Sequence, residues 1–227
     1  MVLPLYTLYT PPGSFFAFAP LIVSEYVGVT VELEKTGSIE QLIASKSPTG
    51  ASPILETQNG EVIVSSQAIA RFIASLRQDT NLLGSDSLRQ SLAIECWTNW
   101  AAQELELPVC VCCYITKGCT PFNENVVKKG KKDIIRALSV LESQLEKQSS
   151  NKNKKTSQTW LVTKEHITLA DITVACTLVY PFTLVFDKAS LSSFPMVVCW
   201  FENCMKEPEF VAVLGKIECG RHENTNF

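Results

Sequence analysis

The chain has 227 residues, 46% hydrophobic and 19% charged, with a formal net charge of −3. That is enough apolar material for a substantial core, which excludes a disordered chain. The slightly acidic balance gives no global pull toward nucleic acid or an anionic membrane.

The opening MVLPLYTLYTPPG lacks the basic start and long apolar run of a signal peptide. Residues 3–9 are apolar and β-prone, and read as a first strand. Pro11-Pro12-Gly13-Ser14 is turn chemistry, and Ser14 is placed to cap a helix carrying Phe15, Phe18, Leu21, Ile22 and Tyr26. Residues 27–33 suit a second strand and 38–45 a short helix. A loop with two prolines leads to Ile54-Leu55-Glu56. Asn59-Gly60 marks a hairpin between residues 53–57 and 61–64. Ser65-Ser66 then opens a helix with Ile69, Phe72, Ile73 and Leu76 at i, i+3, i+4 and i+7. Strand, helix, strand, helix, hairpin, helix over residues 1–78 is the order of an α/β thioredoxin-like domain.

Residues 79–88 read as a linker, and 89–218 as an all-α domain followed by a polar tail, 219–227. Ala93, Trp97, Trp100, Ala101 and Leu105 stripe a long helix that Pro108 bends or ends. Ile134, Leu138, Leu141 and Leu145 share one face of a helix over 126–147. Residues 148–159 are polar and low in complexity, a loop. Thr168 and Asp171 form a capping box ahead of a run from Ile172 to Val179 without a charge, so that helix is buried and its cap must be satisfied internally. After a turn around Pro181, Phe194-Pro195 starts another helix and Pro208 a short last one. No apolar run is long enough to span a bilayer, so no membrane role is expected.

Nine cysteines, an odd number in a chain too large to need staples, read as reduced and cytoplasmic. Cys110 and Cys113 have C-x₂-C spacing, with Cys112 and Cys119 close by. A second pair and a neighbouring histidine are missing, so core packing is the reading rather than zinc. The two histidines, His166 and His222, offer no nucleophile–base pair.

TLADITVACTL, FPMVVCWFENCMKEPEF and VAVLGKIE resemble the glutathione-transferase-like domain family of the translation machinery, as found in the gamma subunit of eukaryotic elongation factor 1. PPGSFFAFAPLI and YPFTLVFD are similar to the N-terminal domain of cytosolic valyl-tRNA synthetase. VSSQAIARFI and WTNWAAQELELP are similar to that of the methionyl enzyme. The resemblance implies a glutathione-transferase fold and a role in assembling translation complexes. The partners would be other such domains, elongation factor 1 subunits, tRNA synthetases or scaffold proteins.

The same resemblance assigns candidate chemistry. Glutathione needs a strand edge for its backbone, a helix N-terminus for its γ-glutamyl carboxylate, and a hydroxyl or dipole to hold its thiolate. Pro53, preceded by Ser52, matches the family's cis-proline. Ser66 matches the serine that caps the third helix and holds the carboxylate. The residue before that serine is usually Glu or Gln and is Ser65 here, which weakens a glutathione site. Ser14 or Thr10, with Tyr9 third, stands where a hydroxyl would activate the thiol. Each has a structural alternative, a bend at Pro53 and helix caps at Ser66 and Ser14. The expected function is an assembly module that requires no cofactor and is not catalytic by itself. The alternative is a glutathione transferase that conjugates glutathione to electrophiles. Over residues 128–155 nine Lys or Arg face three acids, a solvated face or a docking patch for tRNA or an acidic partner.

Overall fold

A mixed four-stranded sheet and a bundle of helices share one apolar core. The computed structural model describes residues 5–34, 39–47, 49–84, 87–149 and 159–220. The expected strand start at Leu3, Ser38 at the head of the second helix, and most of the polar loop after residue 149 lie outside the described residues, as does the tail beyond Gly220.

Strands Leu5–Tyr9 (β1), Thr30–Leu33 (β2), Ile54–Glu56 (β3) and Val62–Val64 (β4) lie in the order β2-β1-β3-β4. β1 and β2 are parallel because helix Phe18–Val27 (α1) crosses between them; β3 and β4 pair antiparallel. The period of two sorts the side chains. Tyr6, Leu8 and Leu55 enter the main core with α1 and helix Ser66–Ser75 (α3). Tyr9 and Ile54 face the other way, onto Ile43 of helix Ile39–Lys46 (α2). In the hairpin, Gly60 has φ 79° while Asn59 does not take a positive φ. Thr57 N–H donates to Glu61 O, and Gly60 N–H to Thr57 O, both at 2.9 Å. Residues 58–60 thus make a three-residue loop with glycine in the left-handed position, not a two-residue Asn-Gly turn.

The helical domain runs from Leu88–Trp100 (α4) through Leu107–Thr116 (α5), Glu124–Gln148 (α6), Leu169–Tyr180 (α7), Lys188–Leu191 (α8) and Pro195–Cys204 (α9) to Pro208–Leu214 (α10). Neither Pro108 nor Pro181 ends its helix. A π-helical segment, Ala101–Glu106, joins α4 to α5, and another, Pro181–Val185, extends α7. A proline ring presses on the carbonyl one turn back and offers no N–H. In both places the chain nevertheless stays helical through a π-helical segment next to the proline.

Every residue of α7 is buried, and Ile172 has 0% exposure. The capping box is present. Thr168 gives its N–H (3.0 Å) and its hydroxyl (2.9 Å) to Asp171 Oδ2. Asp171 Oδ1 accepts Leu161 N–H (2.8 Å) and Trp200 Nε1–H (3.0 Å). Burial pushes the Asp171 carboxyl up in pKa, and these donors pull it back. The carboxylate therefore joins the entry to α7, the segment before it and α9 at one buried point. Two further bonds tie the lobes together, Leu169 N–H to Leu82 O (2.9 Å) and Gln67 Nε2 to Thr98 O (3.0 Å).

Candidate functional site

One end of the sheet gathers most of the candidate residues. β1 pairs β3 with Tyr9 opposite Ile54, and β3 pairs β4 with Ile54 opposite Val64. One step further along the same registers, Thr10, Pro53 and Ser65 fall side by side. Ser65 N–H donates to Pro53 O at 3.2 Å, which fixes the second of these neighbours. The Ser52–Pro53 bond is cis. The turn Pro11–Ser14 and the N-terminus of α3 flank this row.

The serines at α3 exchange roles. Ser65, not Ser66, is the N-cap residue, and Ser66 is the first helical position. Neither hydroxyl caps the helix. Ser65 has φ 88°, a left-handed conformation that a non-glycine residue adopts at a cost of about 1–3 kcal/mol. Such strain persists only where the surroundings enforce it, and it stands at the head of a helix whose first N–H groups have no intrahelical partner.

The hydroxyl candidates also separate. Thr10 Oγ1 is covered by protein and has no hydrogen-bond partner. Tyr9 OH donates to Glu56 Oε2 at 2.5 Å, and that bond, with burial, pushes its pKa up to about 12. Its one proton is committed. Ser14 sits at the N-cap position of the 3₁₀ turn Phe15–Ala17, but its hydroxyl makes no cap bond, so the expected capping role is absent. Ser14 remains the half-exposed hydroxyl of the turn.

Three groups that sequence reading passed over border this end. Tyr180 OH donates to Gly13 O at 2.7 Å, and Lys117 Nζ lies 3.6 Å from the Tyr180 ring centroid and 3.5 Å from Gly13 O. The helical domain thus holds the Pro11–Ser14 turn from above and places a cation over it. Desolvation lowers the Lys117 pKa. Glu106, in the π-helical segment, faces α3, where Gln67 Nε2 is 3.4 Å from its carboxylate; burial raises its pKa. All three lie far along the chain from the turn or the helix they meet, so no local pattern signals them.

The basic stretch is only partly within the structure. Lys128, Lys129, Lys132 and Arg136 stand exposed on α6, with Lys131 half-buried; Lys152, Lys154 and Lys155 lie outside the described residues. Cys112 and Cys113 are buried in α5, Cys110 is half-buried and Cys119 exposed. A groove of about 960 Å³ opens elsewhere, between α8, α9 and residues 216–219, and meets none of these candidates.

The glutathione S-transferase N-terminal domain family matches residues 4–75, and the glutathione S-transferase C-terminal domain family matches residues 102–208. Elongation factor 1-gamma-A of Xenopus laevis is 30% identical over 220 residues, 93% of this chain and 47% of that protein. The chain spans about half the length of the curated relatives it matches. Among solved structures, the GST-like domain of elongation factor 1-gamma from Saccharomyces cerevisiae superposes with a TM-score of 0.77 at 21% identity, covering 98% of this chain and 97% of that one. Glutathione transferase URE2P6 from Phanerochaete chrysosporium, in complex with oxidized glutathione, gives 0.78 at 19% identity over 92% and 94%. With its mixed sheet, its helical second half and both family matches, the chain has the glutathione S-transferase fold, N-terminal and C-terminal domains together.

Proposed function

We propose that the chain is a protein–protein assembly module of the translation machinery, of the elongation factor 1-gamma type, and not a catalyst by itself. The observation that carries this reading is the 30% identity to elongation factor 1-gamma-A across 93% of the chain. The sheet end supports it. Of three hydroxyls near the thiol position, Thr10 is covered and Tyr9 is committed to Glu56. Ser65 brings no carboxylate to the γ-glutamyl position. Its partners would be other elongation factor 1 subunits, with tRNA synthetases or scaffold proteins as further candidates. Sedimentation of the purified chain with the other elongation factor 1 subunits tests the reading; separate sedimentation at micromolar concentrations would count against it.

A second reading, a glutathione transferase, draws on Ser14, Ser52, Pro53, Ser65 and Ser66 at one sheet end. In it the backbone of Ser52 pairs the tripeptide, the N–H groups of α3 and the Ser66 hydroxyl take the γ-glutamyl carboxylate, and Ser14 faces the thiol. Glutathione is the ligand this geometry admits. Retention on glutathione resin together with turnover that Ser14→Ala removes would favour it.

A further inference from the structure

Lys117 is fixed over the first turn by two contacts. Its Nζ lies 3.6 Å from the centroid of the Tyr180 ring and 3.5 Å from Gly13 O. The Tyr180 hydroxyl reaches the same carbonyl at 2.7 Å. The ring is itself held edge-on by Phe15 and Phe18, with centroids 6.1 and 5.6 Å away. A ring face and a carbonyl together keep the charge of Lys117 in one place. That charge forms no ion pair among the described residues. The titratable groups that face it are Tyr180 of α7, Cys113 of α5 and Cys119 just beyond α5. Burial pushes Cys113 and Tyr180 up to about 12, so both are neutral at pH 7. Ser14 follows Gly13 in the chain and carries the half-exposed hydroxyl that caps no helix. Consecutive Cα atoms are about 3.8 Å apart, so the unpaired cation stands about one residue from that hydroxyl.

We propose that Lys117 is the electrostatic partner of a glutathione thiolate bound at Ser14. The proposal rests on the glutathione reading of the sheet end and supplies the charge that reading lacks. Tyr9 has given its proton to Glu56, and Thr10 is covered, which leaves Ser14 as a single neutral donor. A neutral hydroxyl offers the sulfur one hydrogen bond, whereas a cation also favours its ionised form over its neutral one. The chemistry is an ionisation. The S–H proton passes to water, the electron pair stays on sulfur, and Lys117 faces the negative charge. Nothing is oxidised or transferred, so binding a thiolate does not by itself make the chain a catalyst. The competing role for Lys117 is a clamp that only steadies the turn through Gly13. A clamp would serve every glutathione derivative equally; a thiolate partner favours those with a free thiol.

The test is a pH titration of glutathione bound to the full chain, read by the ultraviolet absorbance of the thiolate. In the wild type the bound thiol should ionise about one pH unit below the free tripeptide, which is roughly tenfold more thiolate near pH 7. Lys117→Met keeps the stem without the charge and should return the ionisation to that of free glutathione. Lys117→Arg restores a charge and should keep most of the fall. S-methylglutathione has no thiol to ionise and should bind the wild type and Lys117→Met alike. Melting temperatures near that of the wild type show that the variants fold, as expected at an exposed stem. A wild-type bound thiol no more acidic than the free one overturns the proposal without any variant. So does ionisation at the same pH in the wild type and Lys117→Met, or S-methylglutathione binding that falls as far as glutathione binding. Each of these leaves the glutathione reading standing. Glutathione that fails to bind the wild type at millimolar concentration overturns both.

Discussion

Trp200 Nε1–H and Asp171 Oδ1 lie 3.0 Å apart, a bond between α9 and the entrance of α7 with no solvent reaching either group. It converts a local helix cap into a tertiary joint. The same carboxylate that satisfies Thr168 also receives Leu161 and Trp200. Cutting it strands several buried donors at once.

Asp171→Ala should therefore destabilise the protein by about 3–5 kcal/mol, well beyond the roughly 0.5–2 kcal/mol of an isolated cap. Asp171→Asn should be nearly as harmful, since its amide nitrogen presents donors to donors. Thr168→Ala should cost only about 1–2 kcal/mol. Urea midpoints measure all three, and an Asn variant as stable as the wild type would contradict the four-donor arrangement.

Gly130 decides how closely α6 approaches α5. A Cβ there would sit 2.6 Å from Cys112 Sγ, under van der Waals contact. Gly→Ala in a helix gains up to about 1 kcal/mol from propensity, while overpacking costs about 1–3 kcal/mol. The clash should win, so Gly130→Ala should lower stability by about 1 kcal/mol. In a Cys112→Ala background the sulfur is gone and the same substitution should become stabilising. A double-mutant cycle without coupling would refute the contact.

The pH dependence should have two edges, both traced to Glu56. Hydrogen bonds from Lys46 and Tyr9 hold its carboxyl below the usual 4.5. A depressed acid contributes stability that is present above its unfolded pKa and lost as pH falls through the folded one. Tyr9 is raised from 10.0 to about 12, so its contribution is complete below pH 10 and disappears as pH rises toward 12. Tyr9→Phe should thus cost about 0.5–1.5 kcal/mol at pH 7 and progressively less at either extreme. Denaturant titrations across pH will show whether the deficit narrows at both ends; a constant deficit would assign it to packing.

At the sheet end, Ser14→Ala and Ser66→Ala should leave any complex with translation partners unchanged. Conjugation of glutathione to a general electrophile should be near the uncatalysed rate before and after either substitution. Turnover well above background that Ser14→Ala abolishes would favour the transferase reading.

Local signals were legible wherever one short segment decides the outcome. Thr168 and Asp171 mark a buried cap because they are three residues apart and followed by an uncharged run. Ile134, Leu138, Leu141 and Leu145 line one face because a helix repeats every 3.6 residues, and all four have 0% exposure. Pro181 misled as a turn because a proline signals a break in an α-helix, while there the chain continues through a π-helical segment; at Pro108 a bend or an end was open, and the helix does not end there. Adjacent serines at 65 and 66 have the same capping chemistry, so only the backbone tells which one is strained. The contacts of Lys117 and Tyr180 with Gly13, and of Glu106 with Gln67, join segments of two domains and leave no periodicity to read.

The measurement closest to the central proposal is analytical ultracentrifugation of the full chain mixed with the other elongation factor 1 subunits, beside a glutathione conjugation assay on the same sample. The assembly account predicts a faster-sedimenting complex that Ser14→Ala and Ser66→Ala leave intact, with conjugation at background. Components that sediment apart, together with glutathione turnover that depends on Ser14, would contradict it.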